Sequence, residues 1–218
     1  MPRSKVATLE QALAKCHDGM TVMLSGFTNV GSPNKFCRAL ADTGIKDLHI
    51  IANDAGNDKA DGIGTFIVEG RASSLVASHV GLNPKVAEQM NAGTLAVTLV
   101  PQGTLAERIR CGGCGLGGVL TPTGVGTIVA EGKQEIVVDG KTYLLETPLR
   151  AEVAIVKAWK ADTSGNLVYR RAGKNFNPMM AMAADFVIAE VEEIVEVGQI
   201  DPDQVCTPGA CVDMVVQL

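Results

Sequence analysis

Apolar side chains recur at helical spacing over residues 8–16, where Leu9, Ala12, Leu13 and Cys16 share one face and Thr8 and Gln11 form a capping box at the start. The pattern predicts a helix there, stopped by His17-Asp18-Gly19. Residues 20–24 then read as a short buried strand, residues 25–31 as a loop of small residues, and Ser32-Pro33 as the N-cap and first position of a second helix. That helix turns Phe36, Ala39 and Leu40 inward and ends at Gly44. The order then recurs with changes. An apolar strand over 48–52 runs into Asn53-Asp54 and a loop rich in Gly and Asp, residues 75–80 form another strand, and Asn83-Pro84 opens a helix that Gly93 closes. A strand over 95–101 leads to Gln102-Gly103, after which Thr104 and Glu107 supply a second capping box for a helix over 104–110.

Residues 111–126 break this rhythm: seven glycines, Thr121-Pro122-Thr123-Gly124 and little periodicity predict a long functional loop or a close-packing segment without regular structure. Residues 134–146 give the clearest local signal, two apolar runs flanking Asp139-Gly140, the dipeptide of a type I′ hairpin. Strands over 153–158, 167–169 and 186–191, with a short helix over 178–184 capped by Asn177, complete the pattern. Alternating strands and helices predict an α/β fold, a mainly parallel sheet with helices on both faces plus a β-hairpin excursion, with residues 1–218 forming a single domain.

Composition narrows the function classes. At 46% hydrophobic and 20% charged, the 218-residue chain can bury a full core, and with 4% aromatics that core is aliphatic. A net charge of −5 with scattered Lys and Arg offers no basic stripe for nucleic acid. No apolar run reaches the roughly 18 residues of a membrane span and no secretory h-region follows the N-terminus, so a cytoplasmic protein is expected. The six cysteines read as thiols. Cys111/Cys114 and Cys206/Cys211 are too far apart, with no adjacent His, to argue for a zinc site, and no metal is expected. His17, His49 and His79 read as core or surface residues.

In open α/β sheets ligands bind where loops leave the carboxyl ends of strands, which directs attention to residues 25–31 and 53–64. A loop of small residues exposes backbone N–H groups, and the positive end of the following helix, to a phosphate or thioester oxygen. Taken alone, a tight turn explains the 25–31 loop equally well, since it matches neither dinucleotide nor Walker spacing. Gln102, directly after a strand end, offers an amide that can donate to a developing oxyanion without titrating; satisfying loop carbonyls is the simpler reading of that residue by itself.

Several segments together resemble one family. Residues 18–33 (Asp-Gly, a strand, Ser-Gly-Phe, then Gly-Ser-Pro), Ile51-Ala52-Asn53-Asp54, residues 101–110 from Pro101-Gln102-Gly103, Gly112-Gly113-Cys114-Gly115, Thr121-Pro122-Thr123-Gly124 and Lys174-Asn175-Phe176-Asn177-Pro178 are similar, in order, to the α subunit of family I coenzyme A transferases. The resemblance implies the CoA-transferase (NagB/RpiA-like) fold and an α2β2 assembly with a separate β subunit. In that family a glutamate of the β chain attacks the acyl-CoA and carries CoA to a second carboxylic acid. No Ser-Glu-Asn-Gly segment occurs here, so the chain is expected to be inactive alone. The resemblance assigns Ser25, Gly26, Phe27, Thr28, Asn29, Val30 and Gly31 to coenzyme A binding and Gln102 to the oxyanion. It places Asn53, Gly112, Gly113 and Gly115 around the thioester pocket. Coenzyme A and acyl-CoA are then substrates, with no permanently bound cofactor.

Two positions depart from the pattern: Ser25 replaces a usual glycine, which requires φ below zero there, and Cys114 stands where Ala or Ser is common. The compact hairpin, lacking the longer insertion of succinate-using relatives, favours acetate, butyrate or acetoacetate as acids. The alternatives are a non-catalytic metabolite-binding module and a sugar-phosphate isomerase; the latter would need an acid/base pair beside the glycine loop, which sequence spacing does not supply.

Overall fold

Val22 and Leu24 pack on one side of their strand and Met23 on the other, and all three are buried. A strand with no solvent face needs helices on both sides. The computed structural model, which describes residues 3–218, meets that need. Its first half runs α1 (Leu9–Leu13), β1 (Thr21–Leu24), α2 (Asn34–Asp42), β2 (Leu48–Ile51), α3 (Gly64–Val68), β3 (Ala72–Ala77), α4 (Pro84–Asn91), β4 (Ala96–Leu99) and α5 (Gln102–Cys114). There follow β5 (Val119–Thr121), β6 (Glu135–Val138), β7 (Lys141–Glu146), β8 (Ala151–Asp162), β9 (Leu167–Val168), α6 (Asn177–Met182), β10 (Ala184–Val195) and β11 (Met214–Gln217).

Seven strands form one sheet in the order β11-β10-β8-β1-β2-β3-β4, every neighbouring pair parallel, with β9 antiparallel to the end of β8. Ala12, Phe36, Phe66 and Val86, from α1 to α4, cover one face, while Leu105, Ile109 and Met180, from α5 and α6, cover the other. The expected α/β architecture with a mainly parallel sheet is therefore present. The hairpin excursion is too: β6 and β7 pair antiparallel across Asp139 (φ 51°) and Gly140 (φ 75°), and β5 adds a third strand beyond β7.

The differences have local causes. The Thr8–Gln11 capping box forms both of its bonds, but α1 stops at Leu13. Ser32 does not cap α2; its hydroxyl donates to Ser25 O, Pro33 is the cap residue, and the inner face adds Cys37 and Ala41 while Ala39 is only half-buried. The loop after Asp54 contains α3, a five-residue turn lacking a readable period. Thr104 caps nothing, because α5 begins two residues earlier and then runs through Cys114, where no regular structure is expected. Asn177 lies inside α6 rather than capping it.

β8 and β10 are twelve residues each, longer than their apolar runs. Charged side chains pair across the added length: Lys160 lies opposite Glu193 in register, with Nζ 3.2 Å from its carboxylate. Among the described residues no helix is long and apolar enough to cross a membrane.

Candidate functional site

β1, β2, β3 and β4 end side by side, and the residues that follow them close around a cleft of about 270 Å³ lined by Phe27, Thr28, Asn53, Asp54, Ser78, His79 and Gln102. Four segments far apart in sequence meet because parallel strands all deliver their carboxyl ends to one edge. Gln102 and Asn53, both expected from sequence, are in contact: Gln102 Nε2 donates to Asn53 Oδ1 at 2.7 Å. Sequence patterning places Ser78 and His79 inside a strand and gives Asp54 no role. Their signal lies in topology, since β3 ends at Ala77 and Asp54 bridges to His79 in parallel fashion.

The 25–31 loop forms one wall. Ser25 is buried with φ outside the positive range, so the side chain in place of glycine is accommodated and its hydroxyl donates to Gly31 O at 3.3 Å. Phe27 and Val30 exchange both backbone hydrogen bonds at 3.0 Å, closing a two-residue turn over Thr28 (φ 43°) and Asn29 (φ 69°). Positive φ at a β-branched residue is strained, by about 1–3 kcal/mol. The Thr28 N–H donates to Asp54 Oδ2 at 2.8 Å, which holds the turn in place. Gly31 (φ 70°) lies so close to Gly173 that a Cβ would sit 2.5 Å from its carbonyl oxygen. Asn175 Nδ2 donates to Val30 O at 2.8 Å and Asn177 Nδ2 to Gly31 O at 2.9 Å. The Lys174–Pro178 motif thus clamps this loop. Phe27 and Val30 stand exposed on the resulting ridge.

Part of the backbone expected to face an anion is already committed. The N–H groups of Ser25, Phe27, Thr28 and Val30 are spent on protein acceptors, and in the first turn of α2 Phe36 N donates to Glu190 Oε2 at 2.8 Å, whereas the N–H groups of Gly26, Asn29 and Gly31 meet no acceptor among the described residues. Glu190 is 2% exposed, and its other oxygen pairs with Lys157 Nζ at 3.2 Å. α5 differs. Pro101 provides no side-chain cap, and the first turn of this helix, headed by Gln102, opens on the cleft.

Gly112, Gly113 and Gly115 lie at the far end of α5, not at the cleft. A Cβ on Gly112 would collide with Leu149 O, one on Gly113 would come 2.7 Å from Met182 Cβ, and Gly115 is the left-handed C-cap. In this chain Gly112 and Gly113 serve close packing, and Gly115 supplies the positive φ that ends the helix. Burial pushes the Cys37 thiol up, and that of Cys16 to about 12, so neither supplies a thiolate.

The Coenzyme A transferase family model matches residues 6–218. The chain belongs to that family. This transferase chain is 50% identical over 214 residues to the alpha chain of the acetate CoA-transferase of Escherichia coli (strain K12), covering 98% of this chain and 97% of that one. It is 47% identical over 211 residues to one subunit of a probable succinyl-CoA:3-ketoacid coenzyme A transferase of Bacillus subtilis (strain 168), covering 97% and 88%. An acyl-CoA transferase of E. coli O157:H7, solved as a thioester complex with CoA, superposes with a TM-score of 0.86 at 21% identity over 99% of this chain. The transferase chain spans only 47% of that polypeptide.

Proposed function

We propose that this chain, as one domain, is the α subunit of a cytoplasmic CoA-transferase that works with a separate β subunit, in an α2β2 assembly, to move coenzyme A between a short-chain acyl-CoA and a carboxylic acid of the acetate, butyrate or acetoacetate class. The observation that carries this is the Gln102 amide at the carboxyl edge of the sheet, facing the cleft at the open end of α5. Attack of a β-subunit glutamate on the thioester builds negative charge on the carbonyl oxygen, and a fixed amide N–H stabilises it without a change in protonation. Collapse expels CoA as thiolate and leaves an acyl-glutamyl anhydride. The CoA thiolate then attacks the glutamyl carbonyl and expels the first acid as its carboxylate, leaving a glutamyl-CoA thioester; the second acid attacks that thioester and takes up CoA by the reverse steps, which frees the glutamate. Exchange between two carboxylates is close to thermoneutral, so substrates alone suffice and no resident cofactor is called for.

Ser25 to Gly31 form the ridge over which the pantetheine arm passes, with Phe27 and Val30 as its apolar contacts. The cleft volume suits a small acyl group, and the hairpin of β6 and β7 is compact, which supports short-chain acids over succinate even though the quoted relatives of both kinds are nearly equally identical. The decisive experiment combines purified chain with its candidate partner and acyl-CoA, then treats with borohydride or hydroxylamine. CoA exchange and a trapped glutamate on the partner are expected only in the mixture. Exchange by this chain alone overturns the proposal.

A further inference from the structure

Asp54 is 4% exposed and has no cationic partner among the described residues, yet its carboxylate is fully engaged: Oδ2 accepts from Thr28 N at 2.8 Å and Asn53 Nδ2 at 2.7 Å, and Oδ1 accepts from Gly56 N at 2.9 Å. A carboxylate only accepts, whereas an amide side chain can face either way. Asn53 must therefore turn its nitrogen to Asp54, which leaves Oδ1 toward the cleft. That oxygen accepts from Gln102 Nε2 at 2.7 Å, with Ser78 Oγ at 3.3 Å. Facing an oxygen, Gln102 must in turn present its nitrogen. One of its two N–H groups is spent on Asn53, and no group among the described residues engages the second. The direction of two amides is thus set by one buried charge.

We propose that Asp54 is a positioning residue: through Asn53 it fixes the donor orientation of the Gln102 amide, and through Thr28 it holds the strained turn on the opposite wall of the cleft. This inference rests on the reading of Gln102 as the oxyanion donor. Asparagine at position 54 cannot replace the carboxylate, because placing its oxygen at Oδ2 sets an NH2 against the Gly56 N–H. The flipped amide sets it against Thr28 N–H and Asn53 Nδ2. In either state a donor faces a donor.

The test is a double-mutant cycle in the complex with the partner chain, reading kcat and KM for acyl-CoA separately. Gln102→Ala lowers kcat about 100-fold, the usual effect of removing one oxyanion donor, and Asp54→Asn lowers it about tenfold. In the Gln102→Ala background Asp54→Asn costs no further kcat, within about threefold, because the group it orients is gone. Asp54→Asn also raises KM for acyl-CoA, because it releases the turn held through Thr28 N, and this increase persists in both backgrounds. A kcat loss multiplying to about 1,000-fold in the double variant overturns the relay while leaving Gln102 in place. Unchanged turnover in Gln102→Ala overturns the reading of Gln102 and the relay with it. Should Asp54→Asn not assemble, Asn53→Ala cuts the same link while keeping the bonds of Asp54 to Thr28 and Gly56, and the same non-additivity with Gln102→Ala is expected; additivity again overturns the relay.

Discussion

α2 and α5 both start just beyond parallel strands at the same edge of the sheet, and both follow a proline, Pro33 and Pro101, that supplies no side-chain cap. They differ in what their first turns meet. Glu190, from the middle of β10, inserts a carboxylate against Phe36 N and already places a negative charge at the start of α2, with Lys157 balancing it. Nothing comparable among the described residues reaches α5, whose first residue is the Gln102 amide. A helix N-terminus at the carboxyl edge of a sheet is an opportunity for anion binding, not evidence of it. What decides is whether the protein has already spent the N–H groups.

Gln102→Glu breaks the contrast most strongly. It removes the donor and puts a negative charge where the oxyanion forms, so turnover of the complex falls by about three orders of magnitude. The same carboxylate faces the Asn53 oxygen that Asp54 holds toward it, so an acceptor meets an acceptor and the favourable effect of the positive end of α5 is outweighed, at a cost of about 1 kcal/mol. Activity and melting temperature should therefore both fall. A variant with turnover within tenfold of the parent would show that the open end of α5 does not face the reacting carbonyl.

Glu190→Ala removes the carboxylate at the start of α2. It leaves Phe36 N without its acceptor and Lys157, 17% exposed, without its closest partner. Removing one member of a buried pair costs about 3 kcal/mol. For a chain of this size that lowers the melting temperature by about 6–12 °C, readable by calorimetry. Glu190→Gln, which retains an acceptor for Phe36, should lose less. Equal losses would mean that the ion pair, not the cap, is what Glu190 contributes.

Legibility from sequence follows distance along the chain. The Thr8 capping box, the Asn83 cap and the Asp139-Gly140 turn depend on neighbours within a few positions, and all are present. The cap on α2 comes from 154 residues away, so local pattern points to Ser32 instead. At the site, Asn53 and Gln102 are accessible to sequence reasoning because each directly follows a strand. Asp54 is hidden because its role is to accept three hydrogen bonds, one from a turn 26 positions earlier. Gly112 and Gly113 mislead in the opposite way. Helix propensity penalises each by about 1 kcal/mol, and that argues for a loop, whereas tertiary packing requires them inside a helix.

The two ends of α5 provide the finest version of the contrast, because both carry glycine in helical conformation. A Cβ at Gly103 meets nothing within 4 Å, while one at Gly112 collides with the Leu149 carbonyl. Gly112→Ala should cost about 2 kcal/mol by overpacking and shift the segment before β8. Gly103→Ala should gain about 0.5 kcal/mol, because alanine loses less backbone entropy in a helix. Thermal denaturation of the two variants beside the parent measures both signs. A loss at Gly103 matching that at Gly112 would mean that the first turn of α5 is already covered by protein. In that case the end of the helix that carries Gln102 is no more open to a ligand than the end of α2.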